Sequence, residues 1–259
     1  MLIPIPVGLL AGAAGGGSYT TEYSFDADGS NEHLRDTASS LSLTSNNFSG
    51  SAWIYCDTVT ADHVIMSCGS VGNNPGWALL IDSGGTLKLQ MRDSTGTNWK
   101  QGTKSGISAG TWYHVMFTFD ESSTTGINVY IDNSVGTAGN PTGQNGDYTS
   151  TEDAAVGARY LSGTAGKFFD GHIAEPVIDF SNTWGSSDRA EAYNGGAACF
   201  DWANDFTLGN PTHHWPFNHI SDDFTGGTGQ VNDTGTGGLT LTPNNTESGD
   251  QDSGNLPSC

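Results

Sequence analysis

The run Gly110-Thr111-Trp112-Tyr113-His114-Val115-Met116-Phe117-Thr118-Phe119-Asp120 constrains the fold more than any other stretch of this chain. At period two it sets Tyr113, Val115, Phe117 and Phe119 on one side and Trp112, His114, Met116 and Thr118 on the other. The first face is wholly apolar, so a second layer must cover it. Ile127, Val129 and Ile131 repeat the pattern after a short turn, with Tyr130 on the opposite face. That spacing predicts an antiparallel neighbour.

The remainder of the chain supplies more short strands and the turns between them. Expected strands include Glu22–Asp26, a short one near His33–Arg35, Phe48–Cys56, His63–Cys68, Trp77–Asp82, Leu87–Arg92, Ala154–Arg159 and Phe168–Phe180. Among 259 residues, 37 are Gly, and Ser, Thr, Asn and Asp crowd the gaps between apolar runs. These residues form turns through positive φ and side-chain bonds to the backbone, so many short connections are expected. A helical period appears only over Ser186–Asn194, with Ser186 as N-cap and Gly195 as the stop. About a dozen strands and one late helix predict an all-β, two-sheet antiparallel jelly roll. The linking segment Ser134–Thr151 exceeds what a hairpin needs and is expected to be a binding or contact loop.

The chain divides into three segments. Residues 1–18 form an apolar arm, 19–199 the jelly roll, and 200–259 a Gly/Thr/Asp-rich extension packed on the domain or on neighbours. The arm superficially resembles a secretion signal, but it lacks a basic start, and Pro4, Pro6 and Gly8 interrupt it. It is too short to span a bilayer. Leu2, Ile3, Ile5, Val7, Leu9 and Leu10 need cover, either from their own domain or, as expected here, from partner subunits.

Net charge is −20, from 28 acidic and 8 basic residues. Such a chain repels a phosphate backbone, which argues against nucleic-acid binding. The acidity reads either as a solvated surface or as Asp clusters suited to Ca²⁺ or to salty water. The cysteines stand at 56, 68, 199 and 259. If residues 53–56 and 63–68 pair as a hairpin, Cys56 and Cys68 lie on the order of 20 Å apart along the ladder, beyond disulfide reach. They are expected to be buried thiols, which points to folding in a reducing compartment. Cys199 and Cys259 can meet, although a terminal Cys259 can equally be loose. His213-His214, with His219 and Asp222-Asp223, does not read as a metal site, because adjacent strand histidines point to opposite sides. His114 is expected to be a hydrogen-bonded sheet histidine.

The order of motifs resembles the laminin G-like domain of the concanavalin A-like lectin/glucanase superfamily. It is carried by Ser24-Phe25-Asp26 with Gly29-Ser30-Asn31-Glu32-His33-Leu34, Phe48-Ser49-Gly50-Ser51-Ala52-Trp53-Ile54, and Gly76-Trp77-Ala78-Leu79. Further matches are Leu87-Lys88-Leu89, Gly110-Thr111-Trp112-Tyr113-His114-Val115 with Asp120, Val129-Tyr130-Ile131-Asp132, Val156-Gly157-Ala158-Arg159 and Phe169-Asp170-Gly171-His172-Ile173-Ala174-Glu175. One departure is Ala174-Glu175 where the family commonly carries Asp-Glu. The resemblance implies that the first and last strands are neighbours, and that Ca²⁺ is held at a loop edge by Asp26, Asp28 and Asp170. It also admits glycan or partner contact through the loop aromatics Trp99, Tyr148 and Tyr160.

An enzyme of this fold needs alternating carboxylates on one strand. Glu175 and Asp179 share parity, but Val177 stands between them and Asp170 points away, so a glycoside hydrolase is not expected. The helix and His214-Trp215-Pro216-Phe217 are similar to the segment C-terminal to this domain in bacteriophage structural proteins. The resulting expectation is a non-enzymatic, homo-oligomeric virion surface protein, assembled in the host cytoplasm, that contacts capsid or tail subunits and holds host-surface polysaccharide. The alternative is a secreted, Ca²⁺-dependent carbohydrate-binding module.

Overall fold

A computed structural model describes residues 19–259 apart from 38, 44–46, 70–73, 96–98, 145 and 219–221. The anchoring residues Leu2, Ile3, Ile5, Val7, Leu9 and Leu10, like His219, lie outside the described residues. Along the chain come β1 (Ser24–Asp28), β2 (His33–Asp36), β3 (Asn47–Cys56), β4 (His63–Gly69), β5 (Gly76–Ile81) and β6 (Thr86–Arg92). Next are β7 (Trp99–Ser105), β8 (Trp112–Asp120), β9 (Ile127–Ile131), β10 (Ser134–Val135), β11 (Ala154–Val156) and β12 (Arg159–Leu161). The last are β13 (Thr164–Gly166), β14 (Asp170–Asp179), α1 (Ser186–Tyr193), β15 (His213–His214), β16 (Thr242–Asn244) and β17 (Gln251–Asp252).

They form two antiparallel sheets. The first runs β10-β9-β8-β3-β14-β1-β17, with β15 also on β14; the second runs β16-β2-β11-β4-β5-β6-β7. Apolar residues of one parity from each strand meet between them. Phe25, Ile54, Val115, Phe117 and Phe119 pack with Leu34, Met66, Trp77, Leu79, Leu89 and Val156 in one buried cluster. Gly50 keeps the layer closed, because a Cβ there would lie 2.6 Å from the Phe117 ring. The parity read from the 112–119 run is the parity observed.

Two expectations are corrected. Strands β3 and β4 are not a hairpin: β3 pairs with β8 and β14 in one sheet, β4 with β5 and β11 in the other. Cys56 and Cys68 are nonetheless free and buried in the shared core, and burial pushes the Cys56 thiol up to about 12. Cys199 and Cys259 form a disulfide, the paired one of the two arrangements the sequence left open for Cys259. Helix α1 is capped by Gly185 rather than Ser186, with the Asp188 carboxylate accepting from the Gly185 N–H at 2.7 Å.

Residues beyond 200 enter both sheets. Strand β15 extends β14, β17 edges β1, and β16 edges β2. Trp215, Phe217, Phe224, Val231 and Leu241 belong to the central core. The segment 134–148 is likewise committed. Within it, Thr137 bridges Thr103 and Gly139 bridges Ile127, tying the open sides of the two sheets together.

The outer face of the first sheet is half covered. Trp184, Phe200, Trp202 and Phe206 stack over Met116, Tyr130 and Val177, with Ala192 of α1 beside them. The other end of that face, toward β1 and β17, has no such aromatic roof among the described residues. Because Trp215 is fully buried and its indole N–H donates to the Leu239 carbonyl at 2.9 Å, Trp215→Ala should cost about 3–5 kcal/mol in urea unfolding. A loss below about 1 kcal/mol would mean that the C-terminal segment is only laid on the surface.

Candidate functional site

The open end of the sheet presents one row of side chains from four adjacent strands. Trp112 of β8 stands opposite Tyr55 of β3, Tyr55 opposite His172 of β14, and His172 opposite Asp26 of β1. All four lie on the parity that faces away from the core, since their neighbours Ile54, Ile173 and Phe25 point inward. Ring centroids lie 5.7 Å apart for Tyr55 with either Trp112 or His172. The row therefore runs from aromatic to acidic across about 15 Å, three strand spacings.

The C-terminal tail completes the acidic end. Strand β17 pairs with β1, placing Asp252 opposite Ser24. Asp26 Oδ1 and Asp252 Oδ2 each lie 3.7 Å from a different nitrogen of His172. Ser24 Oγ sits 3.2 Å from His172 Nδ1 and donates to the Asn255 carbonyl at 3.1 Å. The Trp112 indole N–H donates to Asn255 Oδ1 at 3.0 Å, so the tail also fixes the aromatic end. The disulfide at Cys259 pins this tail four residues beyond Asn255.

Charge is concentrated here. Asp26 is held above the ordinary carboxylate range by burial, opposed by His172 and reinforced by Asp252, Asp57 and Asp170. Nearby Glu32 is pushed up to about 7, chiefly by burial. The Asp28 backbone N–H opposes that shift, while the Asp250, Asp28 and Asp26 charges add to it. Asp250 is raised for the same main reason.

The three carboxylates expected to hold Ca²⁺ do not converge. Asp28 stands opposite Asp170, but Asp28 accepts from the Ser30 N–H in a turn and Asp170 accepts from Thr58 Oγ1 at 2.7 Å. Among the described residues, the one set of three donors within 4.8 Å of each other is Asp26, His172 and Asp252. Two carboxylates with an imidazole suit a borderline or transition-metal ion better than the all-oxygen shell of Ca²⁺. Of the expected contact aromatics, only Trp99 is exposed, on edge strand β7 of the other sheet. Tyr148 is buried against Phe119 and donates to Gln144, and Tyr160 is buried with its hydroxyl 2.7 Å from His33 Nε2.

Other expected polar residues serve the interior. His213 and His214 do face opposite ways, to Asp233 and Glu175, each at 2.6 Å. Contrary to expectation, His114 is not hydrogen-bonded through Nδ1; burial drives it down to about 3, so it stays neutral between Trp53 and Tyr193. A bulge lies between Glu175 and Asp179, and each carboxylate is held by the cover of the outer face, Glu175 by His214 and Asp179 by Trp184. Asp179 accepts from the Ser181 N–H, the Asn182 amide and the Trp184 indole.

Sequence parity alone carried a signal for Tyr55, Trp112 and His172, since all three occupy the non-core side of their strands. Asp252 and Asn255 sit in a tail without periodicity and gave none.

Residues 28–178 match the family described as the concanavalin A-like lectin/glucanases superfamily. No curated protein sequence is detectably similar. Among solved structures, a protein of Bacteroides ovatus ATCC 8483, provisionally described as carbohydrate-binding, aligns with a TM-score of 0.61 at 15% identity. The alignment covers 92% of this chain but only 61% of that one. A heptameric SAP-like pentraxin of Limulus polyphemus aligns at TM-score 0.50 and 17% identity, over 72% of this chain and 91% of its own. The CBM40 domain of the Ruminococcus gnavus IT-sialidase, bound to α2,3-sialyllactose, aligns at 0.50 and 12%, over 63% and 94%. These likenesses establish the fold. Among the described residues, no helix is long and apolar enough to cross a membrane, which says nothing of β-barrels.

The raised carboxylates give a pH test. A carboxyl whose folded pKa exceeds its unfolded value contributes stability below about pH 4.5 and loses it as pH rises through about 7. Between pH 5 and 8 the melting temperature should therefore fall, and Glu32→Gln should flatten part of that fall. An unchanged slope in Glu32→Gln, followed by circular dichroism, would contradict the clustering.

Proposed function

The chain belongs to the concanavalin A-like lectin/glucanases superfamily, and on that premise we propose that it is a non-enzymatic carbohydrate-binding module. Its ligand would lie across the open end of the first sheet. The observation that carries this reading is the row Trp112, Tyr55, His172 and Asp26, closed by Asp252 and Asn255. A sugar presents an apolar face of C–H groups and a rim of hydroxyls. The Trp112 and Tyr55 rings supply a surface for the first, and Asp26, Asp252 and Asn255 supply acceptors for the second. The solved relatives described as carbohydrate-binding or sialyllactose-bound support the same class of ligand.

A divalent cation fits the acidic end. Asp26, Asp252 and His172 would hold it, and it would supply a positive centre that polarises sugar hydroxyls. Burial chiefly raises Asp26 and the Asp252, Asp57 and Asp170 charges add to it; a bound cation would offset both. The disulfide favours the secreted setting over the host cytoplasm. The virion role rests on residues 1–18 and on a loose likeness after the helix. It draws no support from the relatives, so carbohydrate binding replaces it as the main reading.

On a glycan array the intact chain should bind a defined set of sugars. Trp112→Ala should weaken the best of them about tenfold, the worth of one aromatic contact. Binding left unchanged by Trp112→Ala, with the fold intact, would move the ligand elsewhere. Chelation should weaken the same sugar and raise no other. Reducing Cys199–Cys259 should weaken it too, because the tail carrying Asp252 and Asn255 loses its anchor; equal affinity with and without reductant would remove the tail from the site.

A further inference from the structure

Away from that row, the hairpin β12–β13 walls a cavity of about 270 Å³ lined by Arg159, Leu161, Thr164, Ala165, Gly166 and Lys167. Only eight of 259 residues are basic, against 28 acidic, so two cations in one small cleft are conspicuous. Their charges are not equally committed. Lys167 pairs with Asp62 at 2.5 Å. Arg35, on neighbouring β2, pairs with Asp153 at 2.5 Å. The Arg159 guanidinium, half-buried, makes no ion pair or hydrogen bond with any described residue.

We propose that this cleft binds a carboxylate-bearing small molecule, of the class of acidic sugars, through the guanidinium of Arg159. Removing a guanidinium partly from water without a partner is unfavourable, and an incoming carboxylate with two parallel acceptor oxygens offsets it. Desolvation pushes Arg159 below its ordinary range, opposed by the nearby Asp62 charge. With Lys167 neutralised by Asp62, the pocket carries one net positive charge, which matches a monoanion rather than a doubly charged phosphate. That single charge sits in a molecule of net charge −20, so weakly held anions are repelled and only one that reaches the fork is retained. Exposed Leu161 and half-buried Ala165 give the carbon skeleton of the ligand an apolar wall. The volume is slightly below the roughly 300–1,000 Å³ of ordinary ligand clefts, which suits a single ring.

The backbone bears the same mark. Lys167, which closes the pocket, sits in the left-handed region at φ 58°, whereas Ser162 at φ 51° and Gly163 at φ 75° form the two-residue turn of the hairpin, which requires positive φ at both. Non-glycine residues persist there only where their surroundings hold them, and such positions gather at ligand clamps. The Lys167 carbonyl accepts from the Val64 N–H at 3.0 Å, anchoring the strained residue to β4.

The test is calorimetric titration of the full chain with D-glucuronate, D-glucose and acetate at low salt. Glucuronate should bind, glucose should bind at least about tenfold more weakly, and Arg159→Gln should lose the acid about tenfold or more. Asp62→Asn frees the Lys167 ammonium and should tighten glucuronate several-fold. Acetate matching glucuronate would keep the carboxylate and show that the ring contributes little. Glucose binding as well as glucuronate, no acid binding at millimolar concentration, or an unaltered Arg159→Gln would overturn the proposal. If Arg159→Gln does not fold, Asp62→Asn decides, and failure to tighten overturns it. The sheet-face reading does not share these residues and stands or falls on its own variants.

Discussion

Strand β14 lies inside the first sheet between β3 and β1, and a break in its alternation decides what packs on either side of it. From Gly171 to Ala174 its register with β3 is regular; then Glu175 and Pro176 together oppose the single residue Ala52, and pairing resumes at Val177 with Ser51. The added residue inverts parity. Ile173 before the bulge and Ile178 after it both reach the core, although one is odd and the other even. Without the bulge, Ile178 would face outward and Asp179 would be driven between the sheets, where an unpaired carboxylate costs several kcal/mol. Glu175 adopts φ 50° to make the bend. Its carboxylate is held there by the Tyr19 hydroxyl at 2.8 Å and by His214 Nε2.

The bulge also divides the labour of the outer face. Before it, β14 pairs with β1 and offers His172 to the open row; after it, β14 pairs with β15 and offers Val177 to the aromatic roof. One strand thus gives a buried His172 to the row and a Val177 to the covered end that stabilises the sandwich. Neither end is built from local sequence. The row needs four strands in register and a tail that arrives more than two hundred residues after β1.

The two candidate ligand surfaces differ in electrostatic logic. At the sheet face, carboxylates outnumber their counter-ions, and Asp26 and Glu32 are raised chiefly by burial, with neighbouring acidic charges adding to it. A cation or a hydroxyl-rich ligand would offset this. At the β12–β13 hairpin the surplus is one positive charge in a strongly acidic molecule. On the proposed readings the first surface would select by shape and hydroxyl pattern and the second by charge, so a glycan carrying both features would find complementary partners on one chain.

Local patterning in the sequence was enough to set the layers. Alternation at 112–119 and 127–131 specified which residues enter the core, because a side-chain period of two leaves no other way to bury one face. Composition specified abundant turns, and the helix was visible over 186–193. Long-range packing settled the sheet assignments of β3 and β4, the burial of Tyr148 and Tyr160, and the union of Asp26 with His172 and Asp252. Each depends on which strands become neighbours across long loops. Backbone hydrogen bonding is the same for every partner, so only the packed whole makes that choice. The same reason hid the tail, whose Asp252 and Asn255 acquire a role through strand β17 and a disulfide rather than through any pattern of their own.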